Sequence, residues 1–400
     1  MFDRIQPAPP DPILGLTDAY RADPRPCKVN LGVGVFMDET GTTPVLDTVR
    51  KAEHLLAATE KTKSYLPISG DPATMRLVGE LVFGGDFAPL REGRITAAQA
   101  LGGTGALRLG FALARQLRPG ATVWLPAPTW GNHAAILRDV GLAQNTYPWY
   151  DPASRSVAGA PLLDALSAVP PTDIVLLHAC CHNPTGADPD PALWQQIAAI
   201  AETRGWLPFF DFAYQGFGKN PVDDRAGLLA VLSRVPEALV ATSFSKNMGL
   251  YSERAGSLQL LARTPDDAQA ALTHVRRIAR VLYSNPPRHG AAIAGTILAD
   301  TELRALWLHE LAAMQARIAG NRTLLADGLA ARNPGRDFTY IVRQNGMFSY
   351  SGLTEAQVAW LRTERAIYMV KGGRINVAGL LPATLPYVCD AITESLRLFP

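Results

Sequence analysis

The stretch DIVLLHACC, residues 173–181, followed by PALWQQIAAIAETRG at residues 191–205, decides the fold. The first is a continuous apolar run too short for a helix of ordinary length. It reads as a strand buried on both faces. The second has apolar residues at helical spacing and ends on Gly205. LPFFDFAY (207–214) and ALVATSFS (238–245) follow as two more strands, and ATVWLPAP (121–128) precedes them as another. Working outward, short apolar strands alternate with amphipathic helices from about residue 50 to residue 300. That alternation predicts an α/β fold with a mostly parallel sheet and helices on both faces. Ligands in such sheets bind beyond the carboxyl ends of the strands. After about Gly320 the pattern changes to a long helix, a strand pair around FTYIV and GMFSYSGL, a helix over Thr354 to Arg365, and IYMV before GGRINVAGL. This predicts a smaller α+β domain completed by residues near the N-terminus.

Composition sets outer limits. The chain has 400 residues, 48% hydrophobic and 18% charged, with a formal net charge of +2. Its length predicts two domains. The basic residues are spread along the chain, which argues against nucleic acid as the main partner. No apolar run reaches the roughly 20 residues that span a bilayer, and the proline-rich start lacks the apolar core of a signal peptide. A cytoplasmic location is the expectation. Cys27, Cys180, Cys181 and Cys389 have no C-x-x-C spacing and read as buried thiols in a reducing compartment, with no metal site.

The strand ends carry the chemistry. GGTGALRLG (102–110) opens an amphipathic helix with Leu107, Phe111 and Leu113 on its apolar side. Bare amides at a helix start suit a phosphate, although such a turn also serves tight packing. PTWGNH (128–133) offers an aromatic plane at Trp130, which a core position would also explain. HNPTG (182–186) closes the buried strand, and its Asn183–Pro184 bond is a candidate for the cis form. DFAY places Asp211 at the end of an apolar strand, where a lone carboxylate needs a cation: a core arginine or a protonated heterocyclic nitrogen.

SFSKNMGLYSER (243–254) sets Lys246 just past another strand end. Only seven of the chain's 38 basic residues are lysines. An amine with few acidic neighbours can become a nucleophile, though a salt-bridged surface role is the plainer reading of one lysine alone. Ser243, Ser245 and Arg254 form a second possible phosphate clasp. A phosphate loop, an aromatic plane, a buried carboxylate and a lysine at successive strand ends match one ligand, pyridoxal phosphate.

Taken together, NLGVGVFMDETGTTPVL, SYLPISG, GGTGALR, PTWGNH, CCHNPTGAD, DFAYQGFG, SFSKNMGLYSERAG, YSNPP, NGMFSYSGL and GGRINVAG resemble the class I aminotransferases of the fold-type I pyridoxal-phosphate enzymes. The likeness is to their aspartate and aromatic amino-acid branch, and it runs from about Pro10 to the C-terminus. It implies an arm over 1–12, a large cofactor-binding domain over 45–314, and a small domain from 13–44 and 315–400. It further implies that Lys246 holds the cofactor as a Schiff base and moves the substrate proton, while Asp211 keeps the ring nitrogen protonated. By the same likeness Tyr214 and Asn183 bond the ring's phenolic oxygen, Trp130 stacks on the ring, and His133 supports Asp211. Gly103, Thr104, Ser243 and Arg254 would hold the phosphate with Tyr65 of a neighbouring subunit, making a homodimer the expected unit. Arg374 would clamp the substrate α-carboxylate with Gly34 and Asn183, and Arg280 would reach across the dimer to a side-chain carboxylate. Taken alone, Arg280 would be a solvated helix face, as its neighbours Arg276 and Arg277 are expected to be.

On specificity, Met37 stands where dicarboxylate specialists of the family carry a lysine or other polar residue. SYLPISG and YPWYD look like the aromatic members, whereas Thr104 and Asn285 keep the aspartate-type pattern. Dual use of aromatic amino acids and aspartate with 2-oxoglutarate is therefore expected. A strict aspartate enzyme is the alternative. Less favoured are another pyridoxal-phosphate reaction, such as β-elimination or decarboxylation, and a non-catalytic regulator on this fold.

Overall fold

The structure, a computed structural model, describes residues 2–7, 14–332 and 335–400. It divides into two compact units, Pro44–Ala316 and Met1–Thr43 with Arg317–Pro400. Of the prolines in the expected N-terminal arm, Pro9, Pro10 and Pro12 lie outside the described residues. Phe2–Arg4 forms a short 3-10 turn rather than an extended run.

The larger unit is built on a seven-stranded sheet: β1 (Ile95–Leu101), β2 (Thr122–Ala127), β3 (Ala143–Pro148), β4 (Ile174–His178), β5 (Leu207–Phe212), β6 (Ala238–Ser243) and β7 (Ala255–Leu261). Their spatial order is β1-β7-β6-β5-β4-β2-β3. The sheet is parallel except for β7, which runs antiparallel to both β1 and β6. Every residue of β4 and β6 is buried, as a strand covered on both faces requires. The register sets His178 beside Asp211 and Asp211 beside Ala241, so three strand ends finish level.

The helices start and stop where their sequence signals lie. Helix α1 (Gly102–Leu117) buries Ala106, Leu107, Leu109, Phe111 and Leu113. Phe111 meets Phe209 edge to face at 4.8 Å between centroids, an arrangement favoured by the ring quadrupoles. Gly110 allows the close approach, since a Cβ there would fall 2.3 Å from Phe209 Cζ. Helix α2 (Asn132–Val140) starts two residues later than the aromatic plane at Trp130. Helix α3 (Pro191–Arg204) is capped by Asp190, which accepts from the Leu193 N–H at 2.8 Å; Pro191 sits at its first position and Gly205 ends it at φ +74°. Helix α4 (Pro265–Leu282) opens on Thr264, which accepts from the Asp267 N–H.

In the smaller unit Val29–Asn30 pairs in parallel with Ile367–Tyr368, and Phe348–Tyr350 pairs antiparallel with Arg374–Asn376. The helix expected over Thr354 to Arg365 spans Glu355–Arg365, with Thr354 and Gln357 forming a capping box. FTYIV is not a strand. Asp337 accepts from both the N–H and the hydroxyl of Thr339, closing a turn that leads into a short helix, Tyr340–Arg343. The β-branched and aromatic composition suggested a strand, but the aspartate turn overrides it. Arg322, buried in this unit, donates to the carbonyls of Ile341, Asn345, Gly346 and Phe348 and so ties that helix to the strand after it. All four cysteines are free; Cys180, Cys181 and Cys389 are buried, whereas Cys27 is exposed, contrary to the reading of all four as buried thiols.

Candidate active site

The strand ends of the larger unit gather most of the residues the sequence singled out. Asp211 ends β5 with its side chain 11% exposed, and His133 Nε2 lies 3.0 Å from its Oδ2. The cation expected beside Asp211 is thus replaced, within the chain, by an imidazole. Burial is the largest influence on Asp211 and opposes its ionisation. The hydrogen bond from His133, the neighbouring His133 and His178 imidazoles and the Ala213 N–H together outweigh burial and hold the carboxyl below its ordinary value.

The hydrogen bonds behind Asp211 run in one direction. The Asn183 N–H donates to His178 Nδ1 at 3.3 Å, so the neutral His178 carries its proton on Nε2. That Nε2 lies 3.3 Å from Thr129 Oγ1 and donates to it. The Thr129 hydroxyl in turn donates to His133 Nδ1 at 2.9 Å. His133 then presents its Nε2–H to Asp211. Burial drives His178 down to about 3, against the pull of the Asp211 anion, so this ring stays neutral. His182, buried and stacked on Trp149 at 4.6 Å, is pushed down by the same cause. Sequence reasoning missed Thr129 and His178. The four-residue spacing of Thr129 and His133 was the available signal for the first; the second depends on sheet register.

Lys246 follows β6. Its Nζ lies 4.9 Å from the Tyr251 ring centroid and 5.9 Å from that of Tyr214. Tyr251 is another residue that the sequence reading passed over. The Tyr214 hydroxyl accepts from Asn183 Nδ2 at 3.5 Å, and the Asn183–Pro184 bond is cis, as is Ala127–Pro128. Trp130 packs edge-on against His133 at 5.2 Å.

The start of α1 forms a floor with almost no side chains. Gly102 has φ +65°, and its N–H donates to the Arg254 carbonyl at 2.9 Å. A Cβ on Gly102 would fall 2.8 Å from Arg254 Nη2, and one on Gly103 would fall 3.3 Å from Ser243 Cβ. Thr104 lies in the same first turn. Arg254 itself adopts φ +52°, a conformation that costs a non-glycine residue about 1 kcal/mol or more. It spans the edge of the floor, with Nη1 3.3 Å from Ser245 Oγ. Two hydroxyls, a guanidinium and helix-start amides therefore converge around glycine positions that must remain bare.

Tyr65 and Arg280 stand apart from this group, and among the described residues neither shares a hydrogen bond or ring contact with it. Tyr65 is 89% exposed. Arg280 is exposed in the last turn of α4 and reaches only Ser284 Oγ. The segments carrying them are joined: Asn285 Nδ2 donates to the Leu66 carbonyl at 2.7 Å, and Arg276 Nε to Ser69 Oγ at 3.2 Å. Arg276 is thus more than a solvated charge.

In the smaller unit Arg374 is buried; its Nη2 donates to the Gly32 carbonyl at 2.7 Å and its guanidinium lies 4.2 Å from the Phe348 ring centroid. Two residues on, Asn376 Nδ2 donates to the carbonyls of Val33 and Val35, fixing the backbone on either side of Gly34. Met37 lies in the same loop, its carbonyl held by Arg317 Nε.

An open α/β sheet whose strand ends bring an amine, a buried ionised carboxylate and an anion cradle together defines an enzyme of amine and carbonyl chemistry. The profile of aminotransferase class I and II matches residues 26–392, and the chain belongs to that family. It is 46% identical to the aspartate aminotransferase of Salmonella typhi and 45% identical to that of Escherichia coli K12, in both cases over 99% of this chain and all of the relative. Among solved structures it is similar to the aromatic-amino-acid aminotransferase of Burkholderia pseudomallei, covalently bound to pyridoxal phosphate. The TM-score there is 0.96 at 44% identity, covering 99% of each chain.

Proposed function

We propose that this pyridoxal-phosphate aminotransferase moves the amino group of aromatic amino acids and of aspartate onto 2-oxoglutarate, working as a homodimer in the cytoplasm. The residues fit the cofactor by their chemistry. A Cβ at Gly102 or Gly103 would crowd the cradle, its donors suit a phosphate dianion, and Asp211 is an acceptor held ionised for a ring N–H. Gly103, Thr104, Ser243 and Arg254 would hold the phosphate, with Tyr65 of a second copy. Bound there, the cofactor supplies an electron-accepting ring that takes up the charge left when a substrate Cα–H bond is broken.

Within this reading the chain's own groups divide the work. Lys246 would hold the cofactor covalently and, once displaced by substrate, would take the proton from the substrate Cα and deliver it to the cofactor's aldehyde-derived carbon, on the other side of the substrate nitrogen. Asp211 keeps the ring nitrogen protonated, and the one-directional bonds from Asn183 through His178, Thr129 and His133 keep Asp211 anionic. Tyr214 and Asn183 supply donors to the ring's oxygen, and Trp130 supplies a plane against the ring. Arg374 pairs with the α-carboxylate, aided by Gly34 and Asn183. Arg280 meets a side-chain carboxylate across the dimer. The observation that carries the reading is the ionised Asp211 held by His133, one strand from the strand that Lys246 follows.

Met37 and the retained Arg280 support use of both donor classes. Thr104 and Asn285 favour a strict aspartate enzyme as the second reading. The test is spectroscopic. Purified holoenzyme absorbs in the visible; L-phenylalanine and L-aspartate each bleach that band, and 2-oxoglutarate restores it. A band that aspartate bleaches and phenylalanine leaves untouched removes the aromatic half of the proposal. Lys246→Ala keeps the fold, loses the covalent attachment seen by mass spectrometry, and loses at least about 10² to 10⁴ in rate.

A further inference from the structure

Away from the strand ends, the larger unit contains a cavity of about 350 Å³ between the loop after Tyr214 and helix α5 (Thr301–Ala330). Its apolar wall includes Leu81, Leu308 and Leu311, and Lys219, Arg225 and Arg304 line it as well. Among the described residues no acidic side chain lines it. Among the described residues, neither Lys219 Nζ nor the Arg304 guanidinium has a hydrogen-bond or ion-pair partner, while Arg225 Nη1 reaches only the Leu81 carbonyl at 3.3 Å. Asp224, the nearby buried carboxylate, is already committed: it accepts from the N–H groups of Gly216, Gly218 and Lys219 at 2.8 to 2.9 Å. An apolar wall lined by three cations and by no acidic side chain complements an anion that carries a hydrocarbon tail.

Buried hydrogen bonds join the walls of this cavity to Lys246. Gln215, next to Tyr214, donates through Nε2 to the carbonyls of two lining residues, Leu81 and Pro221, each at 2.9 Å. The Gln215 carbonyl accepts from Asn247 Nδ2 at 3.1 Å. Asn247 directly follows Lys246, and its own carbonyl accepts from Trp307 Nε1 at 2.7 Å. Trp307 lies on α5 between Arg304 and Leu308. A molecule that moves either wall therefore pulls on the residues flanking Tyr214 and Lys246. Coupling of this kind must run in both directions.

We propose that this cavity is a regulatory site for a small monocarboxylate with an apolar tail, read out at Lys246 through Gln215 and Asn247. The site stands apart from the donor and acceptor positions of the proposed reaction. Only its readout rests on Lys246 holding the cofactor. Octanoate is the probe, titrated into holoenzyme by calorimetry, which needs no turnover and so reports the site whether or not the transfer reaction is as proposed. The expected result is one octanoate per chain, inhibition or activation that is non-competitive with the amino donor, and a shift in the pH midpoint of the visible band. Arg304→Glu weakens binding at least about tenfold, the loss of one charged partner, and leaves kcat/KM without octanoate unchanged. Ala312→Trp, at an exposed lining position, blocks binding by filling the space. Three results overturn the proposal: no isotherm at millimolar octanoate, binding that is competitive with phenylalanine and indifferent to both variants, or binding sensitive to both variants that leaves the visible band's pH midpoint where it was.

Discussion

Asp211 and Arg280 are both charged and both belong to the larger unit, yet the fold treats them in opposite ways. Asp211 is nearly buried, and everything behind it is specified: His133, Thr129 and His178 each donate once and accept once, ending at a backbone N–H. Arg280 is exposed and reaches only Ser284 Oγ, on the residue after Tyr283. The same contrast separates Asn183, buried beside Tyr214, from Tyr65, 89% exposed. The difference teaches that one chain by itself completes the surroundings of Asp211, the proposed ring-nitrogen partner. It leaves the groups expected to meet a phosphate and a side-chain carboxylate facing outward, where a second copy would give them a partner.

The sharpest way to break this comparison is Arg280→Ala. If its guanidinium meets a side-chain carboxylate across a dimer, kcat/KM for aspartate falls by about 30- to 3,000-fold, while that for phenylalanine changes by less than about threefold. Equal losses for both donors would make Arg280 a structural group. Because the Arg280 side chain is itself exposed, the thermal midpoint should hold.

Thr129→Val tests the other side and should invert the pattern. It removes one hydroxyl and leaves both His133 Nδ1 and the His178 Nε2–H without partners. Leaving buried groups unsatisfied costs about 1 to 3 kcal/mol, so the denaturant midpoint falls. Activity should fall by a smaller factor than for Arg280→Ala with aspartate, and equally for the two donors, since Asp211 serves both. Thr129→Ser, which keeps the hydroxyl, should restore most of the loss. A donor-selective effect would show that the relay does not act through Asp211.

How much of this was legible follows the same division. Asp211 and Lys246 could be read because each is a polar residue at the end of an apolar strand, and pattern alone places strand ends. Gly102 and Gly103 could be read because a glycine pair opening a helix leaves its amides bare. Thr129 and His178 could not be ranked above ordinary loop and strand residues. Their roles depend on which strands are neighbours and in what register, and the linear sequence does not state that His178 lies beside Asp211. FTYIV was misread because composition outweighed the Asp337 turn. Tyr65 and Arg280 are legible only through family resemblance, since a residue's service to another subunit leaves no mark in its own surroundings.

The smallest effect belongs to the buried imidazoles behind Asp211. His178, with a folded value of about 3, is neutral in the native state and takes up a proton near 6.5 when unfolded. Its folded value is depressed, so the unfolded chain binds more protons as the pH drops below about 6.5. Stability is lost on that descent until the pH falls through the folded value. Each such histidine contributes a slope of at most about 1.4 kcal/mol per pH unit across that window, and His182 adds a second in the same direction. Asp211 also loses its stabilising ionisation on acidification, from the ordinary carboxylate value downward, and Asp224, which burial raises, acts in the opposite sense; the difference between the parent and a His178 variant from pH 6 to 4.5 therefore reports His178 itself. Denaturant midpoints measured across that interval should fall steeply for the parent chain and less steeply for His178→Gln. If His178→Gln and the parent lose stability in parallel, His178 is already charged in the native state. Its Nδ1 could then no longer accept the Asn183 N–H, and the single direction of the bonds behind Asp211 would have to be abandoned.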